Sequence, residues 1–376
     1  MKIIILINSL GAGGAERSMV EFAKFLHLRN DVNLNIVCLK HKKIGLEKEV
    51  ENFGINTIYY EGNNNLKSKI KFISQIIKNE NPDIIHSVLA ESNLVLRLSR
   101  LFVSKGKVIQ SLVNTPYSLE RKKDSQLSWQ KFQLAKKVDE WTARLTSNIF
   151  YHAITNEVYH HYLPLFKIKD NYRIIYRGRR ENSNKKSSSL NNDFQLINTG
   201  RQEFAKGQID ILYALNFIKE EYDITNINLQ ILGREGQYTK KILDYISAND
   251  LSDQVKILGF VNDVEKRLVD ADAFIFPSYY EGLGGALLEA FSAKLPCICS
   301  NIPVLREVVG SEHGALFSQP GDYKELAMNI LRLYNDKALR DDLGNYSYTR
   351  FQEKFDLNTI NSEMFQMYND VLKTEF

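Results

Sequence analysis

The chain is poor in cysteine: 376 residues hold three, Cys38, Cys297 and Cys299. Three cysteines make no disulfide framework, and Cys297-Ile298-Cys299 alone is poor metal spacing, so all three read as small apolar residues. No stretch approaches the roughly 20 apolar residues of a membrane span. The opening run Ile3-Ile4-Ile5-Leu6-Ile7 is too short for a secretory signal, so a cytoplasmic protein is expected. Recognition-helix, zinc-finger and ribonucleoprotein patterns are lacking, which argues against a nucleic-acid partner. Internal repeats and low-complexity arrays are lacking too.

What is present is an ordinary globular composition, 44% hydrophobic and 25% charged, long enough for two domains with separate cores. The formal charge of +4 hides an asymmetry, because residues 1–190 carry 31 Lys/Arg against 17 Asp/Glu and residues 191–376 carry 18 against 28. A basic first half suggests an anionic partner. Its cations include Arg121, Lys122, Lys123, Lys131, Lys136, Lys137 and Arg144, interleaved with Leu127, Trp129, Phe132, Leu134, Val138, Trp141 and Leu145 on a helical segment from about Asp124 to Ser147. Such interleaving suits an anionic membrane surface. It suits equally a long amphipathic helix packed on its own domain with a solvated basic face.

The periodicity alternates between strand and helix. Strands are expected at Lys2–Ile7, Leu34–Leu39, Asn56–Tyr59, Asp83–His86 and Val108–Leu112, with helices from Ala15, Glu47, Leu66 and Ser92. The polar stretch Arg179–Ser189 reads as a linker. Beyond it the alternation restarts, with strands at Gln195–Asn198, Asn228–Leu232, Val255–Leu258, Ala273–Phe276 and Cys297–Ser300 and helices from Gly207 and Glu235. The last elements are helical, at Tyr323–Tyr334, Lys337–Lys354 and Asn358–Thr374. The pattern is that of two doubly wound, Rossmann-like parallel-sheet α/β domains, expected to face each other across a cleft at the carboxyl ends of their strands. The boundaries are 1–178 for the first domain, 179–192 for the linker, 193–355 for the second domain and 356–376 for a final helix.

The residues that carry chemistry lie mostly in the second half. In Phe276-Pro277-Ser278-Tyr279-Tyr280-Glu281-Gly282-Leu283-Gly284-Gly285-Ala286-Leu287-Leu288-Glu289-Ala290, a buried strand meets a glycine-rich turn and a helix start. A helix N-terminus with free backbone N–H groups holds a phosphate, and carboxylates at Glu281 and Glu289 suit sugar hydroxyls beside it; on spacing alone, Glu281 capping the helix with Glu289 solvated fits equally. Earlier, Gly200-Arg201-Gln202-Glu203-Phe204-Ala205-Lys206-Gly207 offers a guanidinium fork and an ammonium point charge after a strand. Asp270-Ala271-Asp272 has the spacing of a metal motif but precedes a buried strand and reads as loop chemistry. Gly11-Ala12-Gly13-Gly14 opens the first helix, although its third glycine is misplaced for a dinucleotide fingerprint and no clear acidic residue ends the second strand. His86, ending a strand, is expected to point into the cleft and to serve the chemistry there, although a lone histidine is more often structural.

The segment from Pro277 to Ala290 resembles the Glu-x7-Glu motif of the retaining family 4 glycosyltransferases, and the resemblance continues through Leu295-Pro296 and from Asn301 to Val309. Gly200-Arg201…Lys206-Gly207 is similar to the Gly-Arg-x-x-x-x-Lys-Gly motif of the same family. The resemblance implies the GT-B fold, with a final helix crossing back to the first domain. It implies that Glu281 contacts the donor sugar, Glu289 holds the ribose, and Arg201 and Lys206 grip the diphosphate without metal. Gly200, Gly282, Leu283, Gly284 and Gly285 would bind the donor, with Gly13 and Gly14 approaching the donor phosphate or the acceptor from the opposite wall. The loops at Gly233 and Phe260 would lie near the nucleobase. One departure is Val113, which stands where family members commonly carry a histidine: either Asn114 or His86 takes over that task, or the task is dispensable, or activity is lost.

The expected protein is a retaining, metal-independent hexosyl- or N-acetylhexosaminyltransferase with no cofactor and a nucleotide diphosphate sugar as co-substrate, a UDP-sugar first. The acceptor is expected to be a saccharide or lipid-linked saccharide in cell-surface polysaccharide or glycolipid synthesis, met peripherally at the inner membrane face. A catalytically impaired GT-B binding or regulatory protein, a nucleotide-sugar epimerase and a nicotinamide-dependent oxidoreductase are the alternatives.

Overall fold

The computed structural model describes residues 1–374 apart from 12, 44, 125–127, 147 and 188–192. It divides into two compact units. Unit 1 comprises Met1–Ser118, Ser125–Arg177 and Asn358–Phe376, and unit 2 comprises Leu119–Asp124 and Gly178–Leu357.

Unit 1 is built on seven parallel strands, β1 (Lys2–Ile7), β2 (Asn33–Cys38), β3 (Asn56–Tyr59), β4 (Ile84–Val88), β5 (Lys107–Leu112), β6 (Ile149–Ala153) and β7 (Tyr172–Ile174). Their order is β3-β2-β1-β4-β5-β6-β7. Central strands of such a sheet are covered on both faces, so β1 is a continuous branched run, Ile3-Ile4-Ile5-Leu6-Ile7, with every member buried. The helix Leu357–Lys373 closes this unit's core by burying Ile360, Met364, Met367, Tyr368 and Val371 among residues of β1, β2 and the helix Gly14–His27.

Unit 2 repeats the design with six parallel strands, β8 (Phe194–Thr199), β9 (Ile227–Leu232), β10 (Val255–Gly259), β11 (Ala273–Phe276), β12 (Cys297–Ser300) and β13 (Leu316–Ser318). Their order is β10-β9-β8-β11-β12-β13. The strand order reverses between β1 and β4 in unit 1 and between β8 and β11 in unit 2. At such a switch point, outside the carboxyl ends of the strands, ligands of doubly wound sheets bind.

Several expected elements coincide with observed ones, β1, β3, β11 and β12 to the residue. Strands β6, β7 and β13 and the helices Asn156–Phe166 and Pro303–Val309 are additional. The stretch read as a linker is described from 179 to 187, its remainder lying outside the described residues. It runs hydrogen-bonded along unit 2: Asn182 donates to Glu265 O (2.7 Å), Lys186 pairs with Asp272 (2.8 Å) and Ser187 N donates to Asp270 (2.7 Å). Asp270 also pairs with Lys266 (3.1 Å), and Asp272 accepts from Gln195 N (2.9 Å). The Asp-x-Asp spacing therefore serves to fasten this segment and the start of β8. All three cysteines are free and buried, and burial pushes the Cys38 thiol up to about 12. Among the described residues, no helix is long and apolar enough to cross a membrane.

Candidate active site

The site forms in unit 2, where the loops after β8 and β11 meet at the switch point. A left-handed residue at Gly207 (φ +60°) ends the β8 loop, and a Cβ there would lie 2.1 Å from Pro277 O, so only glycine lets the two loops approach this closely. Tyr279 N donates to Ala205 O (2.9 Å), and Phe204 stacks on Tyr279 at 4.4 Å between ring centroids. Tyr279 in turn hydrogen-bonds Asp210, whose carboxyl burial holds above the usual carboxylate range. The two loops are thus fixed to each other by backbone, ring and carboxyl contacts.

On this platform Lys206 Nζ and Glu281 Oε1 form an ion pair at 2.6 Å, and Ser278 Oγ donates to the same oxygen at 2.9 Å. Glu281 keeps only 11% of its side chain exposed and Lys206 25%. Arg201, on the same loop as Lys206, pairs with Glu203 at 2.7 Å and stays exposed. Gly282 and Leu283 lead from Glu281 into the helix Gly285–Ser292, which carries Glu289 one turn in; Leu283 is buried. Arg179 Nε pairs with Glu289 Oε1 at 3.0 Å. An added Cβ on Gly285 would lie 2.3 Å from an Arg179 Nη, so the bare glycine lets that guanidinium reach the helix start.

Three backbone bonds align the neighbouring loops with this centre. Gly200 N donates to Leu232 O (2.8 Å), Gln202 N to Arg234 O (3.1 Å) and Gly233 N to Gly259 O (2.7 Å). Phe260 follows β10 as an exposed ring with the Arg234 guanidinium 5.0 Å from its centroid, a flat cationic and aromatic surface. Unit 2 therefore collects Gly200, Arg201, Lys206, Gly233, Phe260, Glu281, Gly282, Leu283 and Gly284 on segments that follow its strands, and Gly285 and Glu289 in the first turns of the helix after β11. Sequence reasoning gave no role to Ser278. Its position three residues before Glu281, in a turn, was the available signal.

Gly13, Gly14 and His86 belong to unit 1. Gly13 caps the helix Gly14–His27, and an added Cβ on Gly13 would lie 2.4 Å from Glu16 Oε2. His86 is a correction. It does not end its strand, because β4 continues through Ser87 to Val88, and as a middle residue pairing with Ile5 and Ile109 it is wholly buried. Its Nδ1 lies 2.7 Å from Tyr368 OH and its Nε2 2.7 Å from Ser111 Oγ, which lies 2.8 Å from His152 Nδ1. His152 Nε2 is 2.9 Å from Ile175 O. Burial, with the like charges of His152 and Arg177 adding to it, holds His86 well below the usual histidine range, so the ring is neutral and structural. Val113 packs against the unit 1 core.

Residues 179–350, nearly all of unit 2, match the family model described as glycosyl transferases group 1. Over 375 residues, 98% of each chain, the protein is 27% identical to the capsular polysaccharide biosynthesis glycosyltransferase CapH of Staphylococcus aureus. It is 24% identical to an N-acetylgalactosaminyltransferase of Campylobacter jejuni that acts on a diphospho-undecaprenol-linked saccharide, over 93% of this chain and 94% of that one. Among solved structures it is similar to Anabaena HepE in complex with UDP, with TM-score 0.84 and 19% identity over 98% of this chain and 100% of that one. The chain has the GT-B fold, and the matches support a glycosyltransferase.

Proposed function

We propose that the protein is a retaining, metal-independent glycosyltransferase that moves a hexose or N-acetylhexosamine from a nucleotide diphosphate sugar to a saccharide hydroxyl. The observation that carries this reading is the Lys206–Glu281 pair at the β8/β11 switch point, with Arg201 on the same loop and Glu289 one helical turn from Gly285. Arg201 and Lys206 neutralise the departing diphosphate, and the start of the helix Gly285–Ser292 adds its dipole. These fixed cations do the work a divalent metal does elsewhere. Glu281 binds the donor sugar hydroxyls and Glu289 the ribose. In a retaining transfer the leaving phosphate takes the acceptor proton, so no histidine is needed at the position of Val113.

HepE has been crystallised with UDP and with UDP-glucose, which favours UDP as the carrier here. The capsular and undecaprenol-linked activities named for similar proteins favour a saccharide acceptor, lipid-linked or growing, in cell-surface polysaccharide synthesis. Transfer then takes place at the cytoplasmic face of a membrane, with the enzyme bound peripherally.

Thermal unfolding with UDP-, GDP- and ADP-sugars, each in chelator, tests the donor site. Ligand at about 100 times its dissociation constant adds roughly 2.7 kcal/mol. A shift with one nucleotide class that chelator leaves intact is expected, as is an Arg201→Ala loss larger for the diphosphate than for the nucleoside. No shift with any of the three, or equal losses, refutes the assignment. A donor-binding protein without turnover is the second reading, favoured by Val113. It predicts the same shift but no nucleotide release with any acceptor.

A further inference from the structure

The helix Trp129–Leu145 of unit 1 has two apolar faces, of which the unit uses one. Phe132, Thr142 and Ala143 are buried, and on that side Asp139 pairs with the buried Arg97 and accepts from Tyr117 OH at 2.9 Å. Leu134, Val138, Trp141 and Leu145 follow one another at steps of four, three and four residues, so they fall on a single opposite stripe. Their exposures are 63%, 38%, 62% and 48%. This is not a helix whose apolar residues all pack on its own domain.

We propose that this stripe is where the protein docks on an anionic lipid surface, a surface that deepens, and rests on, the lipid-linked acceptor of the proposed function. Charge chooses the occupant. Lys137 projects on one flank of the stripe and Lys131 on the other, both exposed; Arg144 is exposed too but paired with Glu140, and from Trp129 to Val138 the helix has no acidic residue. A second copy of this chain laid stripe to stripe brings these like charges together, whereas anionic headgroups neutralise them. The stripe runs about 16 Å along the helix, which suits a helix lying in the headgroup layer. At its end Thr146 Oγ1 donates to Arg97 O of the helix Ala90–Ser99 at 3.4 Å, and Leu101, 57% exposed, and Phe102, 66% exposed, follow that second helix.

Trp129 and Trp141 are the chain's only tryptophans, so emission excited at the red edge, where tyrosine does not absorb, reports on this helix alone. The full chain is titrated with phosphatidylglycerol/phosphatidylcholine vesicles and with pure phosphatidylcholine vesicles, at about 0.05 M and about 0.5 M salt. The expected result is a blue shift and co-sedimentation with the anionic vesicles at low salt, reversed at high salt. Leu134→Ser with Trp141→Ser should lower partition at least tenfold. Lys131→Ser with Lys137→Ser should lower it about 25-fold, fivefold for each cation of about 1 kcal/mol. The lysine variant changes exposed residues only and so keeps the test decisive if the apolar variant misfolds. Absence of binding at low salt, or equal binding to both vesicles, overturns the proposal. So does a dimer in sedimentation velocity that the apolar variant abolishes. The UDP-sugar thermal shift is measured on the same variants and should be unchanged. Loss of that shift in the wild type refutes the donor site instead, whatever the vesicles show.

Discussion

The buried histidines give the protein an acid sensitivity that is calculable. Ile175 O only accepts, so His152 Nε2 carries the proton, and the chain of bonds then runs in one direction. Ser111 donates to His152, His86 donates to Ser111, and Tyr368 donates to His86. Both rings are neutral. Burial, helped by Arg177, lowers His152 from 6.5 to about 4 against the opposing pull of the Ile175 carbonyl. Between those values the unfolded chain binds a proton that the folded one refuses. The stability that His152 contributes is therefore intact above about pH 6.5, is lost as pH drops, and stops changing below about 4. A 2.5-unit gap at 1.36 kcal/mol per unit makes His152 alone responsible for about 3 kcal/mol by pH 4 and about 2 kcal/mol by pH 5. His86, held well below the usual histidine range by its burial, adds to the loss. Peptide-resolved hydrogen exchange of β4, β5 and β6 between pH 7 and 5 reads this in unit 1 alone, without assuming that two units unfold together. His86→Gln with His152→Asn should lower protection at pH 7 and flatten its pH dependence. A wild-type profile flat from pH 7 to 5, or an unchanged slope in the double variant, refutes the reasoning. The UDP-sugar thermal shift should survive His86→Gln.

Two further substitutions test the scaffold. Gly207→Ala forces a side chain into left-handed backbone, costing about 1–2 kcal/mol, and drives its Cβ against Pro277 O; calorimetry should show lower stability and titration a weakened UDP-sugar affinity. Gly54→Ala, at φ +77° with nothing nearer than 3.8 Å, should cost stability but leave that affinity intact, and equal effects on affinity would refute the role given to the loop contact. Asp139→Asn leaves the Arg97 guanidinium buried without its carboxylate, which should cost about 3–5 kcal/mol and open the helix Trp129–Leu145 to protease; a melting curve and a cleavage pattern like those of the wild type would contradict this.

Local periodicity carried the central strands because a strand buried on both faces is a continuous apolar run, and Ala273–Phe276 or Lys2–Ile7 has no competing reading. It failed where a buried strand carries polar residues. Ser87 made β4 seem to end at His86, which moved a core histidine into the ligand site, and His152 in β6 hid that strand altogether. In both places the polar atoms are satisfied by one another across β4, β5 and β6, a pairing that no single segment displays. The site in unit 2 was more legible, since Arg201, Lys206, Glu281 and Glu289 stand in short motifs on loops whose positions follow from the strand order. Arg179 lies far from them in sequence, and its partnership with Glu289 needed the fold. The helix Trp129–Leu145 showed its apolar and basic residues in advance, but with two apolar faces its spacing alone did not say which one the unit covers.

The ion pairs of unit 2 give the proposed reaction an internal order. Each cation already has a carboxylate: Lys206 has Glu281, Arg201 has Glu203 and Arg179 has Glu289. On the proposed reading a diphosphate does not fill vacant charge but replaces these partners, so its net gain is a difference between two charge-assisted contacts rather than the whole of one. The exchange has a second consequence. Once phosphate takes Lys206, Glu281 becomes available to the hydroxyls of the transferred sugar, and Ser278 keeps it oriented. A nucleotide without sugar would turn Glu281 from its lysine and offer it nothing in return, whereas the sugar donor supplies both the anion and the hydroxyls. On that reading, selectivity for the intact donor over the free diphosphate arises from the Lys206–Glu281 pair itself.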